Sequence, residues 1–184
     1  NFSLKYLKFD AIKIPTACID DYVLIEKVKK LGKRIYIGVG GVEWEEITTI
    51  KNLLKDADIV LICGFQNFPT LLEDSNLYHI KYLKEHFKTK VGYADHIDAE
   101  NSEMTNLVPL MAVCMGAEVI EKHLNLDRSK KGFDYYSSLN PDEFKKFVKK
   151  INLVPKIIGI NNGWDLSDAE VEYRKFSKKF KSKI

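Results

Sequence analysis

Residues 58–64 read DIVLICG. One aspartate opens the run, five apolar residues follow without interruption, and a glycine closes it. A strand with one wet face would alternate apolar and polar side chains, and this run does not. It is also too short for an ordinary helix. A strand that is apolar on both faces belongs to a parallel sheet covered by helices, because the crossovers that join parallel strands pack onto the sheet.

The pattern repeats outward from there. AIKIP (11–15), RIYIGVGG (34–41), KVGYADH (90–96) and AEVIEKH (117–123) read as further strands, the second running into a glycine turn. Between them, DYVLIEKVKKLG (21–32) has the spacing of an amphipathic helix that ends at Gly32, and EWEEITTIKNLLK (43–55) and NLYHIKYLKEHF (76–87) also read as helices. Residues 103–115 are expected to be helical, with Pro109 kinking or interrupting them. NPDEFKKFVKKI (140–151) opens with Asn140 as a cap, Pro141 at the first helical position and Glu143 at the capping-box position; SDAEVEYRKF (167–176) repeats the cap at Ser167 and Glu170. Five strands, each followed by a helix or long loop, fit two α/β architectures: a doubly wound open sheet, or part of a (β/α)8 barrel. GVGGVEW (38–44) lacks the third glycine of a dinucleotide-binding fingerprint, which speaks against a nicotinamide or flavin site.

Composition bounds the function. At 184 residues, with 45% hydrophobic and 30% charged residues, the chain is a globular domain rather than a disordered segment. A net charge of +3 gives no argument for nucleic acid, and the basic KKFKSK at 178–183 reads as a solvated end. No apolar run reaches the ~18 residues needed to cross a bilayer, and NFSLKYLKFD at the start does not have the pattern of a secretory signal. Cys18, Cys63 and Cys114 are scattered, odd in number and set among apolar residues, as expected of thiols in a reducing cytoplasm.

In both architectures the active face is formed by the strand C-terminal ends and the loops after them. Polar residues gather there: Lys13 and Thr16, the glycines at 38, 40 and 41, CGFQNFPT (63–70), Asp95–His96, and His123. Two strand-ending histidines on one face can hold a divalent metal and leave positions open for substrate. A strand lysine next to Pro15 and Thr16 suits a phosphate or carboxylate. The glycines either admit an anion to backbone N–H groups or only make a tight turn. His79 and His86, seven apart, read as surface or half-buried helix positions, and Cys63 as packing.

Five stretches carry a resemblance: KIPTACIDDYVLIEKVKKLGKRIYIGVGG, GFQNFPTLLEDSNL, VGYADH, GAEVIEKHLNLDRSKKGFDYYSSLNPDEF and SDAEVEYRKF. Over nearly its whole length the chain resembles the sialic-acid (N-acetylneuraminate) synthase family, NeuB-like, with the spore-coat polysaccharide synthases. The resemblance implies a TIM barrel of which this single domain, residues 1–184, is the part from about strand four to strand eight. It implies that strands one to three and a C-terminal antifreeze-protein-like domain are missing, and that the complete enzyme is a homodimer. It also implies a cytoplasmic transferase that condenses phosphoenolpyruvate with the open-chain aldehyde of an N-acetylated hexosamine, releasing phosphate.

By motif, His96 and His123 would hold Mn²⁺ or Mg²⁺ and take part in catalysis. Lys13 would hold phosphoenolpyruvate with Thr16, and Asp134 would face the sugar hydroxyls; Gln66 and Phe68 fall in the substrate loop. The chain departs from the family pattern at Cys18, where a glutamate is frequent, and at Gly38 and Ala94, where serines are usual. Gln66 replaces an asparagine segment, Phe68 a tyrosine, and the two histidines stand further apart. Two alternatives accompany this reading: a non-catalytic barrel half that binds a sugar phosphate or pairs with a complementary synthase chain, and a 3-deoxy-heptulosonate-type synthase. The latter requires a metal-ligand cysteine that the surroundings of Cys18 do not match.

Overall fold

The computed structural model describes residues 8–159 and 163–178. Its strands are β1 (Ala11–Ile14), β2 (Arg34–Gly38), β3 (Ile59–Cys63), β4 (Lys90–Asp95) and β5 (Val119–Lys122). Its helices are α1 (Tyr22–Lys29), α2 (Trp44–Leu53), α3 (Tyr78–Phe87), α4 (Met104–Cys114), α5 (Pro141–Ile151), α6 (Val154–Ile158) and α7 (Asp168–Ser177). The strands form one parallel sheet in the order β1-β2-β3-β4-β5, each beside its successor in the chain. A doubly wound sheet reverses its strand order at a switch point. This one runs straight through, so the barrel-type alternative is the one adopted.

The two faces of the sheet differ in what covers them. Ile25 and Val28 of α1, Ile47 and Ile50 of α2, Ile80 and Leu83 of α3, and Val108 and Ala112 of α4 share one core with Ile35, Leu61, Cys63 and Tyr93. On the opposite face Val60, Ile62 and Ala94 cluster with Tyr36 and Val119, without a helical residue. Side chains alternate along a strand, so the second face also carries Lys13, Gly38 and Glu121. Lys13 forms an ion pair with Glu121. These residues lie on β1 and β5, the two ends of the sheet. Four strand spacings would separate them by roughly 19 Å in a flat sheet, and a lysine and a glutamate together span only roughly 11 Å. The sheet is therefore curled, with the helix-free face inside.

Local chemistry explains the helix limits. Asp21 caps α1 by accepting from the Leu24 N–H at 2.9 Å, and Gly32, at φ 63°, turns the chain away three residues after its end. Glu43 with Glu46, Asn140 with Glu143, and Ser167 with Glu170 form capping boxes at α2, α5 and α7. Helix α4 runs through Pro109 without interruption. Among the described residues no helix is long and apolar enough to cross a membrane. The chain divides into two compact units, one ending at Val154 and one beginning at Pro155. The sheet belongs to the first unit; α7 belongs to the second.

Two glycines let the loops after β2 and β3 pack against each other. A Cβ on Gly40 would fall 2.2 Å from the Gly64 carbonyl oxygen, and one on Gly64, itself at φ 93°, would fall 2.3 Å from that of Ala94. These loops meet backbone to backbone, which only glycine allows. Gly41, at φ 72°, turns the chain after β2.

Candidate active site

The C-terminal ends of the strands open into a cavity of about 510 Å³ lined by Lys13, Thr16, Gly38, Gln66, Glu121, His96 and His123, among others. The loops bring together residues separated by more than a hundred positions. His96 follows directly on β4 and His123 directly on β5, and their ring centroids lie 5.1 Å apart at 50°. His96 is only 7% exposed. Burial first, and then the neighbouring His123, push its pKa down to about 4, so the ring is neutral near pH 7.

Among the described residues, His96 Nδ1 and His123 Nε2 are buried side-chain nitrogens without a hydrogen-bond partner. Leaving such groups unpaired is costly, and a pair of them side by side calls for an occupant. Imidazoles that share one metal at about 2.1 Å from each nitrogen place their ring centroids roughly 4.5–5.2 Å apart. The histidine pair fits a divalent ion in spacing and protonation. Among the described residues no group of three or more His, Cys, Asp or Glu side chains could hold a metal, so these two would leave the remaining positions to water or substrate oxygens.

Asp134 stands behind His123. Its carboxylate lies 3.6 Å from His123 Nδ1 and accepts from Gln66 Nε2, so the loops after β3 and β5 are joined through these three side chains. An anion beside Nδ1 favours a proton there, which leaves Nε2 with its lone pair. Asp134 has φ 55° and opens a short turn over Tyr135–Ser137. Arg128 anchors this loop: it donates to the Ser138 carbonyl at 3.1 Å and to Glu143 at 2.9 Å, and lies 3.3 Å from Glu100. Phe68 sits outside the lining, 62% exposed, with its ring 6.1 Å from that of Tyr136.

Several neighbours escaped the sequence reading. Glu121 lines the cavity and pairs with Lys13, and period-two alternation from His123 was the signal that could have found it. Lys122 was also missed, and Asp95, expected on the active face, instead forms a buried ion pair with it on the other face of the sheet, each next to a histidine. Burial raises the Asp95 carboxyl above the usual carboxylate range even with Lys122 in contact. The remaining histidines stand elsewhere: His79 contacts Asn76 at 2.9 Å, and His86 packs among Trp44, Tyr82 and Phe87. Cys63 is buried, with its thiol pKa pushed up to about 12 by burial, in keeping with a packing role.

The model of the NeuB family matches residues 2–162. The chain belongs to the NeuB family. An uncharacterized protein of Methanocaldococcus jannaschii is 38% identical over 160 residues, covering 85% of this chain and 45% of its own length. The N,N'-diacetyllegionaminic acid synthase of Campylobacter jejuni is 33% identical over 161 residues, covering 85% and 46%. The crystal structure of the N-acetylneuraminic acid synthetase of Leptospira borgpetersenii matches with a TM-score of 0.84 at 28% identity, over 98% of this chain and 61% of that one. This NeuB-family chain thus spans about half the length of the curated relatives it matches. The other two relatives are synthases of the sialic-acid type, and the curled five-stranded sheet is a half-barrel of their kind.

Proposed function

We propose that the five strands are strands four to eight of a (β/α)8 barrel, and that they carry the metal and anion sites of a synthase. The barrel so completed would condense phosphoenolpyruvate with the aldehyde of an N-acetylated hexosamine to a nine-carbon sugar acid, one water adding at the former enol carbon as phosphate is lost. The observation that carries this reading is the pair of buried, partnerless imidazole nitrogens sharing one cavity with a lysine.

His96 and His123 would hold Mn²⁺ or Mg²⁺. A bound divalent ion supplies Lewis acidity to an aldehyde oxygen. Lys13 exchanges Glu121 for the phosphate or carboxylate of phosphoenolpyruvate, with the Thr16 hydroxyl beside it. That exchange leaves Glu121 as a free carboxylate at the cavity wall, able to hold a proton during bond formation. Gln66 and Asp134, already in contact, present an amide and a carboxylate to the hydroxyls of a sugar.

Mn²⁺ titration followed by electron paramagnetic resonance tests the proposal. His96→Ala and His123→Ala should each abolish binding of one ion, while His79→Ala and His86→Ala leave it intact. Equal loss in the His86→Ala protein would overturn the assignment.

A further inference from the structure

The two strands that deliver the histidines stop pairing one residue before them. The register of β4 with β5 ends at Asp95 opposite Lys122. Beyond that point the backbones take separate partners. The His96 carbonyl accepts from the Thr70 N–H at 3.1 Å, and Ile97 bridges to Thr70. The His123 carbonyl accepts from the Leu139 N–H at 3.0 Å, and Leu124 bridges to Leu139. The strands are parting where the rings must be held together.

A buried polar cluster occupies that last register position. Lys122 meets Asp95 Oδ2 and donates to Thr105 Oγ1, in the first turn of α4, at 2.6 Å. The other carboxylate oxygen, Asp95 Oδ1, accepts from the Ile97 N–H at 3.4 Å, so the carboxylate straddles His96. The Asp95 and Lys122 side chains are 0% and 1% exposed. Alternation puts both on the helix-covered face, directly behind the histidines. The cluster ties β4, β5 and α4 together at the point where the ladder ends.

As a source of stability this pair is a poor choice, since well-packed apolar residues of similar volume commonly serve as well or better. What it supplies, and an apolar pair does not, is direction: three polar contacts fix how far apart the two strand ends stand. Groups that orient metal ligands without touching the metal commonly alter affinity by 10–100-fold. We infer that Asp95, Lys122 and Thr105 form a positioning clip that holds the His96 and His123 rings at the separation one divalent ion requires. This inference rests on the reading of that histidine pair as metal ligands.

The test uses the full chain and Co²⁺ as probe, reading affinity and visible absorption spectrum, with thermal melting recorded separately in chelator. Asp95→Leu with Lys122→Met removes both charges together. The folded double variant should keep cooperative melting, bind Co²⁺ about tenfold or more weakly, and show a changed spectrum. Thr105→Val should weaken Co²⁺ binding several-fold, and Thr105→Ser, which keeps the hydroxyl, should restore affinity and spectrum. A folded double variant with unaltered affinity and spectrum overturns the clip. If that variant does not melt cooperatively, the Thr105 pair decides, and equal affinity and spectrum for valine and serine overturn it. His96→Ala in the same series separates the two ideas. If it loses Co²⁺ while the double variant retains it, the clip alone falls. If it binds Co²⁺ as the unaltered chain does, the metal reading falls and the clip with it.

Discussion

Gly40→Ala tests whether the cavity wall depends on the contact between two loop backbones. The added methyl carbon would lie 2.2 Å from the Gly64 oxygen, 2.6 Å from its carbonyl carbon and 2.9 Å from the Phe65 Cα. All three are backbone atoms, so no side chain can swing aside, and normal contact requires the loops to part by about 1 Å or more. Overpacking a tight site costs about 1–3 kcal/mol, and a rigid backbone neighbour puts Gly40 at the upper end. For a chain of this size, 3 kcal/mol corresponds to a loss of roughly 6–12 °C in melting midpoint. Gly32 is the control. It has φ 63° with nothing within 4 Å of a built Cβ, so Gly32→Asn meets open space in a conformation that asparagine tolerates. The assay is thermal melting of the two variants beside the parent. A Gly40→Ala midpoint within 2 °C of the parent, or no lower than that of Gly32→Asn, would refute the reasoning.

Three further outcomes are expected. Lys13→Ala should weaken phosphoenolpyruvate binding by about 1.5–3 kcal/mol, the worth of a hydrogen bond to a charged group, and leave Mn²⁺ affinity unchanged; calorimetry of both ligands checks it. Cys63, buried and with its pKa near 12, should resist iodoacetamide at pH 8 in the folded chain while exposed Cys114 reacts, as peptide mapping would reveal. Arg128→Met removes the donors that tie Ser138 and Glu143, so it should destabilise by about 1–3 kcal/mol and speed hydrogen exchange across residues 127–138. Exchange unchanged in that segment would mean that the loop is anchored elsewhere.

The fold was legible because its signals are local. DIVLICG has no polar position to offer solvent, and the caps at Asn140 and Ser167 announce their helices with the reciprocal glutamate three residues on. What periodicity alone could not decide was doubly wound sheet against barrel, because that choice lies in strand order. One contact between the outermost strands, Lys13 with Glu121, shows the curl that no single segment encodes.

The site was legible in its two histidines and opaque in what lies behind them. His96 and His123 stood out because each ends an apolar run beside charge. One of those charges misled: Asp95 read as a polar residue of an active face, whereas alternation turns it and Lys122 away from that face, into a dry cluster closed by Thr105 from a helix. Sequence spacing gives no hint that residues 95, 105 and 122 meet. Glu121 was hidden in the opposite way, inside a strand that was read for its apolar content, yet it alternates with His123 and so faces the cavity. One face of β4 and β5 turns two imidazoles and a carboxylate to the cavity, and the other buries an ion pair at the last register position before them. On the proposed reading of His96 and His123 as metal ligands, substitutions behind the sheet should alter metal affinity, as substitutions within the cavity do.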